Sequence, residues 1–223
     1  MMKKLVFLMS WGCLLLGACN KMDATYDKFI KDGPVTYTGK ADSVQVFGGH
    51  NRVLVNWWIS SDQTIRSCKV FWNFGQDSLR VPVMKTAGTD TVKAYVNNLA
   101  EGTYSFTVYT YDAAGHHSVG TNAIGQAYGD IFQSTLAGKP FRTATKNAAD
   151  NSIRVIWVGK DAKCLGTEWH FTGTDQREHD YFAPQADTTF IDGCDLTKPV
   201  SYRSLYVPDQ HAIDTFYTDY KSL

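Results

Sequence analysis

Two stretches a hundred residues apart carry one pattern: Arg52-Val-Leu-Val-Asn-Trp57 and Ser152-Ile-Arg-Val-Ile-Trp157. Each puts a β-branched residue two positions before a tryptophan, so Val55 with Trp57, and Val155 with Trp157, share one face of an extended chain. Such alternation suits a half-buried strand and no helix. It recurs in Cys68-Lys-Val-Phe-Trp-Asn73, Leu79-Arg-Val-Pro-Val83, Thr91-Val-Lys-Ala-Tyr-Val96 and Thr103-Tyr-Ser-Phe-Thr-Val-Tyr-Thr-Tyr111. Turn clusters separate these runs: Gly48-Gly49, Ser60-Ser61-Asp62, Asn73-Phe-Gly75 and Ala113-Ala-Gly115. No window keeps apolar residues at helical spacing for three turns. Short strands at this spacing predict an all-β sandwich or barrel.

The second half repeats the first. Thr167-Glu-Trp-His-Phe171 stands where Lys69-Val-Phe-Trp-Asn73 stood, and Asp187-Thr-Thr-Phe-Ile191 parallels Asp90-Thr-Val-Lys-Ala94. Leu196, Pro199 and Tyr202 fall where Leu99, Gly102 and Tyr104 fell. A period of about 100 residues is one sandwich in size, which makes this a duplicated domain and not a solenoid. The expected division is residues 34–128 and 129–223, with Gly125-Gln-Ala-Tyr-Gly129 as the joint.

The beginning of the chain is of another kind. Lys3 and Lys4 precede an apolar run from Leu5 to Leu16, about a dozen residues where a bilayer span needs ~20. Leu16-Gly17-Ala18-Cys19 then resembles the lipobox of bacterial lipoproteins, in which the cysteine is acylated and becomes the first mature residue. The resemblance implies a signal peptide over residues 1–18, lipidation at Cys19 and a tether over residues 19–33. Two or three acyl chains at ~0.8 kcal/mol per methylene anchor stably where one does not. Lys21-Met22-Asp23 is a thin version of a signal for display on the outer face of the outer membrane.

Removing Lys3 and Lys4 from a chain of 22 basic and 22 acidic residues leaves the remainder near −2. That excludes a phosphate-neutralising surface, so nucleic acid is no expected partner. Cys13 leaves with the signal and Cys19 carries lipid, so Cys68, Cys164 and Cys194 remain. They read as small buried hydrophobes, with a Cys164–Cys194 bridge left open.

The alternating stretches with core tryptophans, Val55/Trp57 and Val155/Trp157, resemble the second strand of fibronectin type III. That family's sixth strand opens with Leu, a turn and a tyrosine that corners back onto the backbone. Leu196 to Tyr202 has its spacing, whereas Leu99 to Tyr104 is one residue shorter. The whole mature chain also resembles DUF4998, a family of Bacteroidetes lipoproteins of unknown function. Tyr37-Thr-Gly-Lys-Ala-Asp-Ser43, Phe71-Trp-Asn73, Leu99-Ala-Glu-Gly102, Tyr109-Thr-Tyr-Asp112 and Tyr128-Gly129 carry that likeness. It implies a cell-envelope protein, often associated with polysaccharide capture, and transfers no activity.

No catalytic motif is present: no nucleophile elbow, no His-Glu-x-x-His, no phosphate loop, no Cys-x-x-Cys. Neither a cofactor nor a resident metal is called for, and adjacent His116-His117 read as an exposed loop. Exposed aromatics carry more. If Tyr104 is the corner residue, Phe106 and Val108 enter the core and leave Tyr109 and Tyr111 outward. Either Val70 and Trp72 or Phe71 and Asn73 face out beside them, and Trp58 points outward from its own strand. Flat rings on an open sheet stack on sugar faces, so Tyr109, Tyr111, Trp72 and Trp58 are the candidate ligand contacts. The other domain or the Val35–Lys40 segment could instead cover these rings.

The expected function is a non-enzymatic, surface-displayed outer-membrane lipoprotein that binds or spaces, with a glycan or an outer-membrane protein as partner. The alternatives are a small envelope glycoside hydrolase using Glu178 and Asp180 with Asp112, or a subunit of a membrane assembly.

Overall fold

The computed structural model describes residues 36–60 and 62–223. The signal peptide, Cys19 and the tether therefore lie outside the described residues. Seven strands build the first sandwich: β1 (Asp42–Gly49), β2 (Arg52–Ile59), β3 (Ser67–Trp72), β4 (Asp77–Pro82), β5 (Asp90–Asn97), β6 (Gly102–Tyr111) and β7 (Thr121–Ala127). Eight more follow a one-turn helix, α1 (Asp130–Ser134): β8 (Phe141–Asn147), β9 (Ser152–Trp157), β10 (Cys164–Thr172), β11 (Glu178–Pro184), β12 (Thr188–Ile191), β13 (Val200–Tyr206), β14 (Phe216–Tyr217) and β15 (Lys221–Ser222).

In the first sandwich a sheet ordered β1-β2-β5 faces one ordered β4-β3-β6-β7. In the second, β12-β9-β8 faces β11-β10-β13-β14, with β15 also on β13. Three strands against four, all antiparallel, is the fibronectin type III arrangement; the second copy repeats it with its last strand split into β14 and β15. The tryptophans do what their spacing requires: Trp57 is fully buried and Trp157 nearly so. Trp57 sits among aliphatic neighbours such as Val53, Val55 and Ile59. Trp157 belongs to an aromatic stack with Trp169 and Tyr202, at ring separations of 6.1 and 5.6 Å.

The tyrosine corner forms in the repeat with the shorter spacing. The Tyr104 hydroxyl donates to the Ala100 carbonyl, four residues upstream, at 3.0 Å. Tyr202 runs into the core instead and donates to the Lys139 carbonyl at 3.0 Å. The reason is the segment before β8, which lies across β13: Tyr206 donates to the Ala137 carbonyl and the Lys139 amide to Ser204 Oγ.

Cys68, Cys164 and Cys194 are buried free thiols. Burial raises the pKa of Cys68 and Cys194 to about 11. No Cys164–Cys194 bridge forms. Cys164 begins β10, while Cys194 bridges to Gly173 just past its other end. Nine strand residues at ~3.3 Å each put them about 30 Å apart, against the ~4–7 Å between Cα atoms that a disulfide needs.

Both sandwiches lie in one compact unit, Thr38–Leu223. Arg52 on β2 grips Asp214, which precedes β14, in a bidentate pair with Nε to Oδ2 at 2.8 Å. Asp214 also accepts from the His50 amide, and its carboxyl is held below the ordinary value mainly by Arg52. Tyr128, Phe132 and Phe216 pack ring against ring, and Glu101 accepts from the first free amides of α1 at Ile131 and Phe132.

Candidate functional site

Register decides which rings reach the open face of the β4-β3-β6-β7 sheet. Val70 pairs with Val108 and both are buried, so odd-numbered β3 residues face out together with odd-numbered β6 residues. Phe71 therefore joins Tyr109 and Tyr111 on the outer face. Trp72 does not: it turns inward and packs against Phe106 with ring centres 6.5 Å apart. It meets the open face only from the end of its strand.

Phe71 and Tyr109 meet edge to face at 5.7 Å, and Tyr109 meets His117 in the same way at 5.6 Å. His117 also leans on Tyr111, at 5.7 Å. These rings line an open groove of about 700 Å³. Thr103, Ser105 and Thr107 supply its hydroxyls, and among the described residues no carboxylate lines it. Tyr109 lies so close to Gly120 that a Cβ there would stand 2.9 Å from Tyr109 Cζ. Only a bare backbone lets the phenol settle. Of the segment that could cover these rings, Thr38 and Gly39 bond instead to Thr110, on the core side of β6. Tyr109 and Tyr111 stay half-exposed.

One end of the groove is a turn of unusual backbone. Asn73, Phe74 and Gly75 have φ of 50, 57 and 83°, all left-handed. For a bulky residue such as Phe74 that conformation is an outlier, costing on the order of 1–3 kcal/mol, and such outliers cluster at ligand clamps. The strain exposes the Phe74 ring completely at the lip. Strand alternation alone leaves Phe71 open, and Phe74 and His117 are not among the contacts it predicts. The Asn-Phe-Gly triplet was the available signal, an aromatic where a turn prefers a polar residue.

Trp58 is not brought to this site. It lies half-exposed on the outer side of the opposite sheet, level with Asp42 and Thr91. The three carboxylates considered for hydrolysis do not converge either. Asp112 follows β6 at its far end from the joint, and its carboxyl, held low first by its bond to His116, accepts from His116 Nδ1 at 2.7 Å. Glu178 and Asp180 on β11 flank His170 on β10, at 3.4 and 2.9 Å, at the end of the second sandwich remote from Phe216. Ten residues of β6 at ~3.4 Å already put Asp112 some 30 Å from the joint. His116 and His117 diverge, His117 Nδ1 donating to the Ser118 carbonyl. Among the described residues no group of three or more His, Cys, Asp and Glu is placed to hold a metal.

Residues 19–216 match DUF4998, a domain of unknown function. The chain belongs to the DUF4998 family. No curated protein matches it. Among solved structures, the FN1–FN3 domains of chicken CNTN1 are similar over 85% of this DUF4998 chain and 67% of their own, at 11% identity and a TM-score of 0.42. A two-domain fibronectin type III segment from chicken tenascin covers 83% of this chain and 98% of its own, at 11% identity and a TM-score of 0.33. All the groove residues of this DUF4998 chain fall inside the matched span.

Proposed function

We propose that this chain is a lipid-anchored protein of the outer-membrane surface that binds a glycan along the β3–β6 groove and performs no reaction on it. The observation that carries the reading is the groove itself: the rings of Phe71, Phe74, Tyr109, Tyr111 and His117 and a row of hydroxyls along an open sheet face, with no carboxylate lining it among the described residues. Sugar C–H faces stack on the negative faces of such rings, while Ser and Thr hydroxyls exchange hydrogen bonds with sugar hydroxyls. An elongated, open trough suits a polymer better than a small molecule, which needs enclosure. The anchor rests on the lipobox around Cys19 and sets the groove out from the membrane on a tether.

The test is affinity electrophoresis of the full chain in detergent micelles through gels containing a panel of plant and host polysaccharides. Retardation by at least one, lost in Tyr109→Ala and in Phe74→Ala at unchanged thermal unfolding, supports the reading. Free migration through the whole panel ends it. Mass spectrometry of membrane-extracted protein checks the anchor: an unacylated Cys19 removes that part.

A further inference from the structure

The row of residues crossing the sheet beside Tyr109 contains a cost that the fold does not require. Lys69 on β3 pairs directly with Arg80 on β4 on one side and with Tyr109 on the other. Like charges placed opposite one another on adjacent strands are destabilising. A carboxylate nearby would ordinarily offset this. Among the described residues neither cation has one: the Lys69 ammonium sits over the Phe71 ring at 4.6 Å, and the Arg80 guanidinium donates to Ser67 Oγ at 3.1 Å.

Both cations open into a second hollow of about 380 Å³, lined also by Tyr111 and the loop from Asp112 to Gly115. Tyr111 lines the long groove as well, so the two hollows adjoin at that residue. The one carboxylate there is occupied, since Asp112 accepts from the His116 amide and the His116 ring. An anion entering this hollow would meet Lys69, the outer edge of the Arg80 guanidinium and the Tyr111 hydroxyl.

We infer that the hollow framed by Lys69, Arg80 and Tyr111 is a subsite for an anionic substituent, a carboxylate or a sulfate ester, on the glycan lying in the groove. The inference rests on the glycan reading above and narrows it from any polysaccharide to an acidic one. Arg80 presents a planar fork that matches such oxyanions, and Lys69 adds a point charge already desolvated on one side by Phe71. Tyr109 separates the two functions: rings and hydroxyls toward Phe74 grip the sugar ring, and cations toward Asp112 select its charge.

Three gels separate the outcomes: polygalacturonate for the carboxylate, a sulfated galactan for the sulfate, and a neutral galactan. The full chain in detergent is expected to be retarded roughly tenfold more strongly by at least one acidic gel than by the neutral one. The Lys69→Gln/Arg80→Gln variant should fall to the neutral level. A control of equal charge change, Arg177→Gln/Lys198→Gln on the second sandwich, should keep the preference, and thermal unfolding of both variants reports folding. Equal retardation in all three gels, or a preference surviving Lys69→Gln/Arg80→Gln, overturns the anionic subsite and leaves the groove standing. Free migration in all three and across the wider panel overturns both.

Discussion

On β6 the residues turned away from the first core are Thr103, Ser105, Thr107, Tyr109 and Tyr111; on β13 they are Ser201, Arg203 and Leu205. The frames agree, yet the two faces are completed differently. In the second sandwich Arg203 donates to Glu168 at 2.8 Å and lies between the Tyr217 and Tyr220 rings, at 4.2 and 4.9 Å. His170 is flanked by Asp180 and Glu178 in the same way. Arg203 and His170 thus both have carboxylate partners within the sheet. In the first sandwich the rings meet one another and the Lys69 ammonium, and Lys69 stands against Arg80 with no carboxylate beside either among the described residues. A face that satisfies itself offers a ligand less than one carrying strain, bare rings and, among the described residues, unpaired charge, and it is on the latter that the proposed groove lies.

The cores extend the comparison, and the largest expected effects are there. Trp57→Ala and Trp157→Ala should each cost about 3–5 kcal/mol in chemical denaturation. If one sandwich unfolds alone, two transitions would show it. Trp→Phe is more discriminating. The Trp157 indole N–H donates to Thr189 Oγ1 at 2.8 Å, in a buried setting. The Trp57 N–H has no oxygen acceptor, only the Cys68 thiol near it. Trp157→Phe strands the buried Thr189 hydroxyl and should exceed Trp57→Phe by about 1–2 kcal/mol. Equal losses would mean that the two tryptophans serve as volume alone.

The joint gives a smaller effect with a definite sign. Because Arg52 depresses the Asp214 pKa below 3.8, the pair stabilises the fold above that value and is lost as pH falls through the depressed one. Arg52 is 40% exposed, so solvent screening reduces the contribution to about 1 kcal/mol. Arg52→Met should lower the urea midpoint by a constant amount from pH 7 to 5, and the gap should close well below pH 4. A gap unchanged at acid pH would show that Arg52 acts through packing. Smallest of all, Arg203→Met should cost under about 1 kcal/mol in thermal unfolding and leave polysaccharide retardation untouched. Lost retardation would move the ligand to the second sandwich.

Much of the frame was legible because period-2 alternation is a local property. Val53, Val55 and Trp57 announce their face without help from the rest of the chain. Where both faces of a strand are apolar, alternation is silent. Val70 and Trp72 on one side of β3, with Phe71 on the other, could be assigned only by pairing with β6. Trp72 was the more conspicuous residue, and it faces the core. The corner tyrosine failed in the opposite way: Tyr202 had the right spacing, but the Ala137–Pro140 segment claimed its hydroxyl, a contact 63 residues distant in sequence. Arg52–Asp214, 162 residues apart, lay beyond any local pattern. Phe74 was hidden because strain is a property of φ and ψ, which composition does not print.

The last strand of the second sandwich has a further consequence. It is broken into β14 and β15, two residues each, and between them the Thr218 amide and hydroxyl bond to Ser204. An intact border would present a regular row of donors and acceptors to any neighbour running alongside. This one consists of two runs of two residues each, too short to template a continuous ladder. Copies crowded together at high local density would touch there without zipping into a shared ribbon.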